Sequence, residues 1–249
     1  MQEQQPPSSP TSQLSRIVNV FTSPSDAFEG IAGSPSKVGT WLIPMLCALA
    51  ISIFISYLLV SNETLRAQLL ESQKQSMQKM VESGRITQQQ ADMQAERMES
   101  MGGGMFMAFA VIGSIVFLAG YYFGGSLFLW LGGKFVLKSP GGYGKYLEVY
   151  GTSAWVGILG AVITVLMILG MNSMYASPSA GLAVLSEYDP TNHTHRFLTS
   201  LNIFSVWQVL VIGLGLSKLS GKGLGMSLGV AFVLWLIWVP ASIFLGLTR

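Results

Sequence analysis

From Val149 to Met171 the chain runs without a single charged residue. A helix of about 20 apolar residues satisfies its own backbone hydrogen bonds and crosses the hydrocarbon of a bilayer. Such a stretch is stable in a membrane or inside a very large core, and composition decides between the two. Only 10% of the 249 residues are charged, against roughly 25% in a soluble domain, too few to clothe a water-facing surface. Four more stretches meet the same test: Val38 to Val60, Met105 to Leu131, Phe197 to Leu216 and Leu224 to Thr248. The expected fold is all-α, a polytopic membrane protein whose five transmembrane helices form a bundle. An extramembrane helical hairpin, residues 61–104, is inserted between spans one and two. Residues 1–37 form a tail and 38–249 the five-span membrane domain.

The tail is long, polar and poor in early positive charge, unlike a cleaved signal peptide, so the first span is expected to be retained. Met1 to Gln13, rich in Gln, Pro and Ser, lacks the apolar residues that would offset the entropy of ordering. Leu14, Ile17, Val18 and Phe21 then recur at helical spacing, and Ser23-Pro24 offers a cap and a first helical proline for a second short helix carrying Ala27, Phe28 and Ile31. Two amphipathic helices before a membrane entry either lie in the interfacial plane or pack on the protein's own loops.

In the insertion, Leu65, Leu69, Met77 and Met80 make one stripe, and Ala91, Ala95, Met98 and Met101 a second beyond the break at Ser83-Gly84. The stripes suit antiparallel pairing, with Gly102-Gly103-Gly104 as a loose hinge. The methionines read as packing residues rather than a copper site, since no His or Cys accompanies them. Span two holds the pair Gly120 and Gly124, a spacing that permits close helix contact. Ser153, Gly157 and Ala161 form a similar small-residue face on span three, and Gly221, Gly225 and Gly229 extend one into spans four and five.

Chemistry is sparse. Transporters and pumps place ionisable residues inside the membrane, and the five stretches contain none. Ser153 has no histidine within a span, HExxH spacing does not occur, and Cys47 is the only cysteine. Glu187, Asp189, His193 and His195 lie between spans three and four, where an alternating His pair without a fixed third ligand reads as a solvated, irregular loop rather than a zinc site. A net charge of +2 gives no footing for nucleic acid. No catalytic residue, cofactor or metal is assigned.

Five spans put the termini on opposite sides. Lys134, Lys138, Lys145, Lys218 and Lys222 crowd the two short loops, and short loops dominate orientation. The N-terminus is thus expected in the cytoplasm, with the hairpin and the C-terminus outside, in an inner cell membrane.

Three stretches carry a likeness: Ser23 through Pro24 and Phe28 to Ile31; Tyr150-Gly151-Thr152-Ser153 at the entry to span three; and Leu201-Asn202-Ile203-Phe204 with Trp207 and Gly215. In these, and in span count and order, the chain resembles the Yip domain family, five-span membrane proteins named for interaction with Ypt/Rab-type small GTPases, and in particular its prokaryotic branch. Thr152 stands where that family has a second tyrosine, and Asn202 where an acid is usual. The resemblance implies a cytosolic N-terminus and a role in membrane organisation or trafficking through protein partners.

The functional expectation is a non-enzymatic scaffold in contact with the lipid bilayer and with protein partners, self-association being left open. The alternatives are a transporter or lipid scramblase with a weakly polar, Gly-rich path, and an envelope sensor acting through the hairpin. Candidate functional or packing residues are Pro24, Phe28, Tyr150, Gly151, Ser153, Gly157, Asn202, Phe204 and Trp207.

Overall fold

The computed structural model describes residues 13–100 and 103–244. The expected disorder of the first residues, the side chain of Met98, Met101, Gly102 and the end of the fifth stretch at Thr248 lie outside what is described. In order, the elements are α1 (Gln13–Thr22), a 3-10 turn (Asp26–Phe28), α2 (Gly39–Ser61), α3 (Glu63–Glu82), α4 (Gln88–Ser100), α5 (Gly103–Phe135), α6 (Tyr143–Met171), a 3-10 segment (Ala180–Glu187), α7 (His193–Ser200), α8 (Ile203–Ser220) and α9 (Leu224–Phe244). Five of these, α2, α5, α6, α8 and α9, are long and apolar enough to cross a membrane. The protein is an all-α polytopic bundle.

Helix α6 is the axis, packing against α2, α5 and α8 and also against α1. Lipid supplies no hydrophobic force between helices, so close approach depends on small residues. A Cβ on Gly151 would overlap the Cα of Trp41, and one on Gly160 would lie 2.7 Å from the Phe204 side chain. On α8, a Cβ on Gly213 would lie 2.5 Å from the Leu228 side chain of α9. The glycine spacings read from the sequence only partly coincide with these contacts. Gly120, Gly124, Gly225 and Gly229 have nothing within 4 Å of a Cβ, so they pack no helix in the monomer. Gly221 serves as the left-handed cap of α8 (φ 67°). Helix α5 is the loosest member: its most apolar stretch has no buried residue, whereas 44% of the corresponding stretch of α8 is buried.

Several local expectations are revised. The second tail element is a 3-10 turn, with Pro24 just before it. Neither tail element packs on loops, because Val20, Ala27, Phe28 and Ile31, each at most 1% exposed, join the main core. The stripe on α3 does not simply face α4: Leu65 and Leu69 pack with Leu59, Ile168, Met174 and Tyr175. Gln68 reinforces this by donating to the Asn172 carbonyl and accepting from the Met174 N–H. Gly103 and Gly104 begin α5 rather than forming a hinge. The segment before span four is ordered: Ser179 and Asn192 cap short helices, and the Asp189 N–H donates to Nδ1 of His195 at 3.0 Å. The fourth spanning helix starts at Ile203, since Leu201 closes α7 and Asn202 caps α8 by accepting from the Phe204 N–H at 2.9 Å.

Gly151→Ala should lower the thermal midpoint in detergent, at an overpacking cost of about 1–3 kcal/mol, because it meets backbone; Gly124→Ala should leave it unchanged. Equal midpoints would displace Gly151 from the packing axis. For sidedness, Ser76 on α3 and Lys222 between α8 and α9 are both exposed. With Cys47→Ser as background, cysteines at Ser76 and Lys222 should label from opposite sides, Ser76 from outside.

Candidate functional site

The sequence places the first uncharged residue of span three directly after Glu148, but the helix itself starts at Tyr143 and takes two charges into the core. Lys145 is 8% exposed and Glu148 1% exposed. Lys145 Nζ lies 3.5 Å from Glu148 Oε1 and donates to the Ser34 hydroxyl at 3.4 Å. The same carboxylate oxygen accepts the Lys37 backbone N–H at 2.6 Å. A buried charge is tolerated only when paired and hydrogen-bonded; the pair within α6 meets the first condition, and one strap, Ser34 to Lys37, leading into α2, meets the second. Beside it, a Cβ on Gly144 would sit 3.1 Å from the Ser36 hydroxyl. Sequence reasoning missed this clasp because a search for charge-free windows stops at Glu148; the Lys145/Glu148 spacing of three on an extended helix was the available signal.

The clasp anchors the amphipathic tail. Helix α1 runs from the first turn of α2, where Gln13 meets Gly39 and Arg16 donates to the Thr40 hydroxyl, to α8, where Phe21 meets Trp207 edge-on at 5.9 Å. Phe28 lies against Gly215, which also receives Val149. Leu14 and Val18, on the outward edge of α1, remain 72% and 50% exposed.

The residues expected from the sequence fall into two groups. Pro24, Phe28, Tyr150, Gly151 and Ser153 lie toward the α1 end, Ser153 donating to the Tyr150 carbonyl at 2.7 Å. Tyr150 is a hub, edge-on to Tyr121 and Tyr122 at 5.6 and 5.3 Å and seated on Gly125. Asn202 and Phe204 belong to the hairpin end, Phe204 stacking on Trp207 at 6.2 Å. Gly157 lies between, a Cβ there being 2.9 Å from Oε1 of Gln208. These residues do not converge on one site, although a single cavity reaches toward both groups.

That cavity, about 540 Å³, lies between α5, α8 and α9 and touches α6 at Tyr150. Its wall is largely aromatic and aliphatic, with Tyr121, Phe128, Trp235 and Trp238 prominent and Gln208 the main polar intrusion. At the hairpin end a smaller cavity of about 290 Å³ is lined by Thr164, Tyr175, Ser177, Tyr188, Asn202 and neighbouring hydroxyls. Burial raises the Tyr175 and Tyr188 hydroxyls above the usual phenol range, so both stay protonated at neutral pH. Asp189 nearby is held below the usual carboxylate range, chiefly by the Thr191 hydroxyl, with burial opposing and Lys79 and His195 assisting. Among the described residues no cluster of three His, Cys, Asp or Glu could hold a metal.

The five-span order, the entry to α6 and the capped start of α8 now stand together with the comparison to known proteins: residues 18–247 match the Yip1 domain. The chain belongs to the Yip1 domain family. It is also 30% identical over 241 residues to the membrane protein YknW of Bacillus subtilis (strain 168), covering 93% of this chain and 90% of that protein. No solved structure matches. Membership of the family, together with five helices long and apolar enough to cross a membrane, places the chain among multi-pass membrane proteins.

Removing one partner of a buried pair leaves the other charge uncompensated, a cost of about 3–5 kcal/mol. Lys145→Met and Glu148→Leu should each destabilise the protein and speed trypsin cleavage after exposed Lys37. The double variant should be less destabilised than the sum of the two. Strict additivity in thermal unfolding would show the charges to be uncoupled.

Proposed function

We propose that this Yip1-family protein is a non-enzymatic membrane scaffold that organises or sorts membrane components through protein partners. The observation that supports it best is the clasped tail. Helix α1 buries one side in the bundle, and its outward Leu14 and Val18 form a fixed apolar edge at one membrane face. A mobile tail would lose conformational entropy on binding, whereas this one is already ordered by Phe28, Ile31 and the Lys145/Glu148 pair. The hairpin supplies a second ordered extramembrane element, joined to the bundle through Leu65 and Gln68. The family likeness supports protein partners in the same way, and the lysine-rich short loops support a cytoplasmic location for the α1 face.

The cavity between α5, α8 and α9 favours a second reading, a lipid scramblase or transporter. Its largely apolar wall suits hydrocarbon better than a solute path.

A photo-crosslinking residue at Val18 of the full-length protein in native membranes should yield a defined protein adduct, lost when Glu148→Leu releases the strap. Adducts with lipid alone, together with membrane composition unchanged on loss of the protein, would defeat the scaffold reading. Lipid flipping in liposomes no faster than in empty vesicles would remove the second.

A further inference from the structure

The two cavities are not independent. Both are lined by Ser200 and Ser205, which sets the hydroxyl-rich pocket against the hairpin end of the apolar slot. A pocket bearing many hydroxyls at one end of the bundle, sharing walls with a hydrocarbon-lined slot, has the form of an amphiphile. The geometry points to a binding site for one membrane lipid, its chain in the slot between α5, α8 and α9 and a neutral, hydroxyl-bearing headgroup, a glycerol or a sugar, in the pocket.

Volume argues for a chain rather than a helix. If each methylene takes roughly the 30 Å³ share of one water, a slot of 540 Å³ holds on the order of 18 methylenes. A spanning helix is about 10–12 Å across and about 30 Å long, several times that volume. Gly120 and Gly124 form part of the slot's wall, and a Cβ on either would meet nothing within 4 Å. Their lack of side chains is therefore not explained by helix contact within the chain; it leaves room along α5.

Headgroup chemistry follows from where the hydroxyl protons go. Thr164 donates to the Gly160 carbonyl at 2.9 Å, and Ser200 to the Arg196 carbonyl at 2.9 Å. Each hydroxyl has one proton and two lone pairs, so with the proton engaged these oxygens can act toward a ligand only as acceptors. Their complement is a donor, and the Asn202 amide NH2, its Oδ1 engaged by the Phe204 N–H, donates from the same lining, so a hydroxyl that both donates and accepts is matched. A glycerol or sugar hydroxyl donates; an ionised phosphodiester only accepts, and no Lys, Arg or His lines the pocket to neutralise it. Tyr175 and Tyr188, rings 4.3 Å apart, add an aromatic wall suited to the C–H face of a glycerol or sugar. The pocket's 290 Å³ equals on the order of ten water volumes, enough for either.

The test uses the full-length protein in vesicles of phosphatidylethanolamine and phosphatidylglycerol. Three parallel arms carry a lipid photoactivatable at the chain end: a diacylglycerol, a monoglycosyl diacylglycerol, or phosphatidylglycerol. One neutral lipid should label peptides of α5 or α9 above phosphatidylglycerol, and whichever does so identifies the headgroup. Gly124→Leu, or Gly120→Leu should the first fail to fold, should abolish the labelling by filling the slot. Thr164→Val with Ser200→Ala should reduce it about fivefold, the equivalent of one net hydrogen bond of about 1 kcal/mol. Labelling by phosphatidylglycerol as strong as by the neutral lipids, or labelling insensitive to the leucine variants, would overturn the proposal. Because the assay contains no protein partner, its failure would leave the scaffold reading intact.

Discussion

The approach of α6 to its neighbours is the constraint from which the rest of the bundle follows. In a membrane the separated helices are already in an apolar solvent, so contact must be gained through fit. Gly151 lets the α2 backbone come down onto α6, and Gly160 does the same for Phe204 of α8. Once α2 and α8 are drawn to opposite parts of α6, the space left near Val149 and Gly215 accepts Phe28. The tail thus becomes part of the core rather than an appendage to it. A bulky residue at Gly151 would move α2, and with it the point at which the strap enters the membrane.

The clasp at Lys145 and Glu148 makes sense in that setting. The strap leads from the buried Ile31 to the start of α2 at Gly39; its Ser34 N–H bonds back to the Gly30 carbonyl, but other backbone N–H groups there have no helical partner. Glu148 accepts one of them, from Lys37, while Lys145 balances the charge and reaches Ser34. Replacement by apolar residues of similar volume could keep the packing, yet it would leave the Lys37 N–H unpaired. Here the ion pair secures a particular chain path more than it adds stability, in line with the modest net value of buried pairs.

Span number and helical class were legible because both rest on length and charge, which the bilayer imposes directly on sequence. Ser153 and Gly157 were legible as residues of interest, since a small residue in an apolar helix has few other uses, and Gly151 through the Yip1 resemblance. Less could be read from spacing alone. Gly120 and Gly124 have the separation of a packing pair but face the slot, while Gly160 and Gly213, in no conspicuous pattern, make contacts. Which face of a transmembrane helix meets protein is fixed by neighbours, and nearly uniform hydrophobicity erases the amphipathic signal that marks a buried face in water. Asn202 illustrates the same limit: as a polar residue in an apolar run it read as part of the span, whereas it caps α8. The Yip1 resemblance supplied what composition could not, a reason to attend to Tyr150 and Trp207 before their contacts were known.

The slot itself arises from uneven packing around the axis. Helix α6 is held closely by α2 and α8, and α8 by α9, leaving α5 to lean on the others with Gly125 on Tyr150 and Gly132 on Val230. Ahead of those contacts Gly120 and Gly124 of α5 provide no side chain to close the gap, and the aromatic rings of Tyr121, Trp235 and Trp238 are too rigid to collapse into it. An empty apolar cavity forfeits dispersion contacts along its whole lining, so in a bilayer the surrounding hydrocarbon is the readiest filling. Tyr150, which anchors the entry to α6 and also lines the slot, joins the two halves of the molecule. A chain in the slot would press on the residue against which α5 is seated, making occupancy and the placement of α5 a single coupled state.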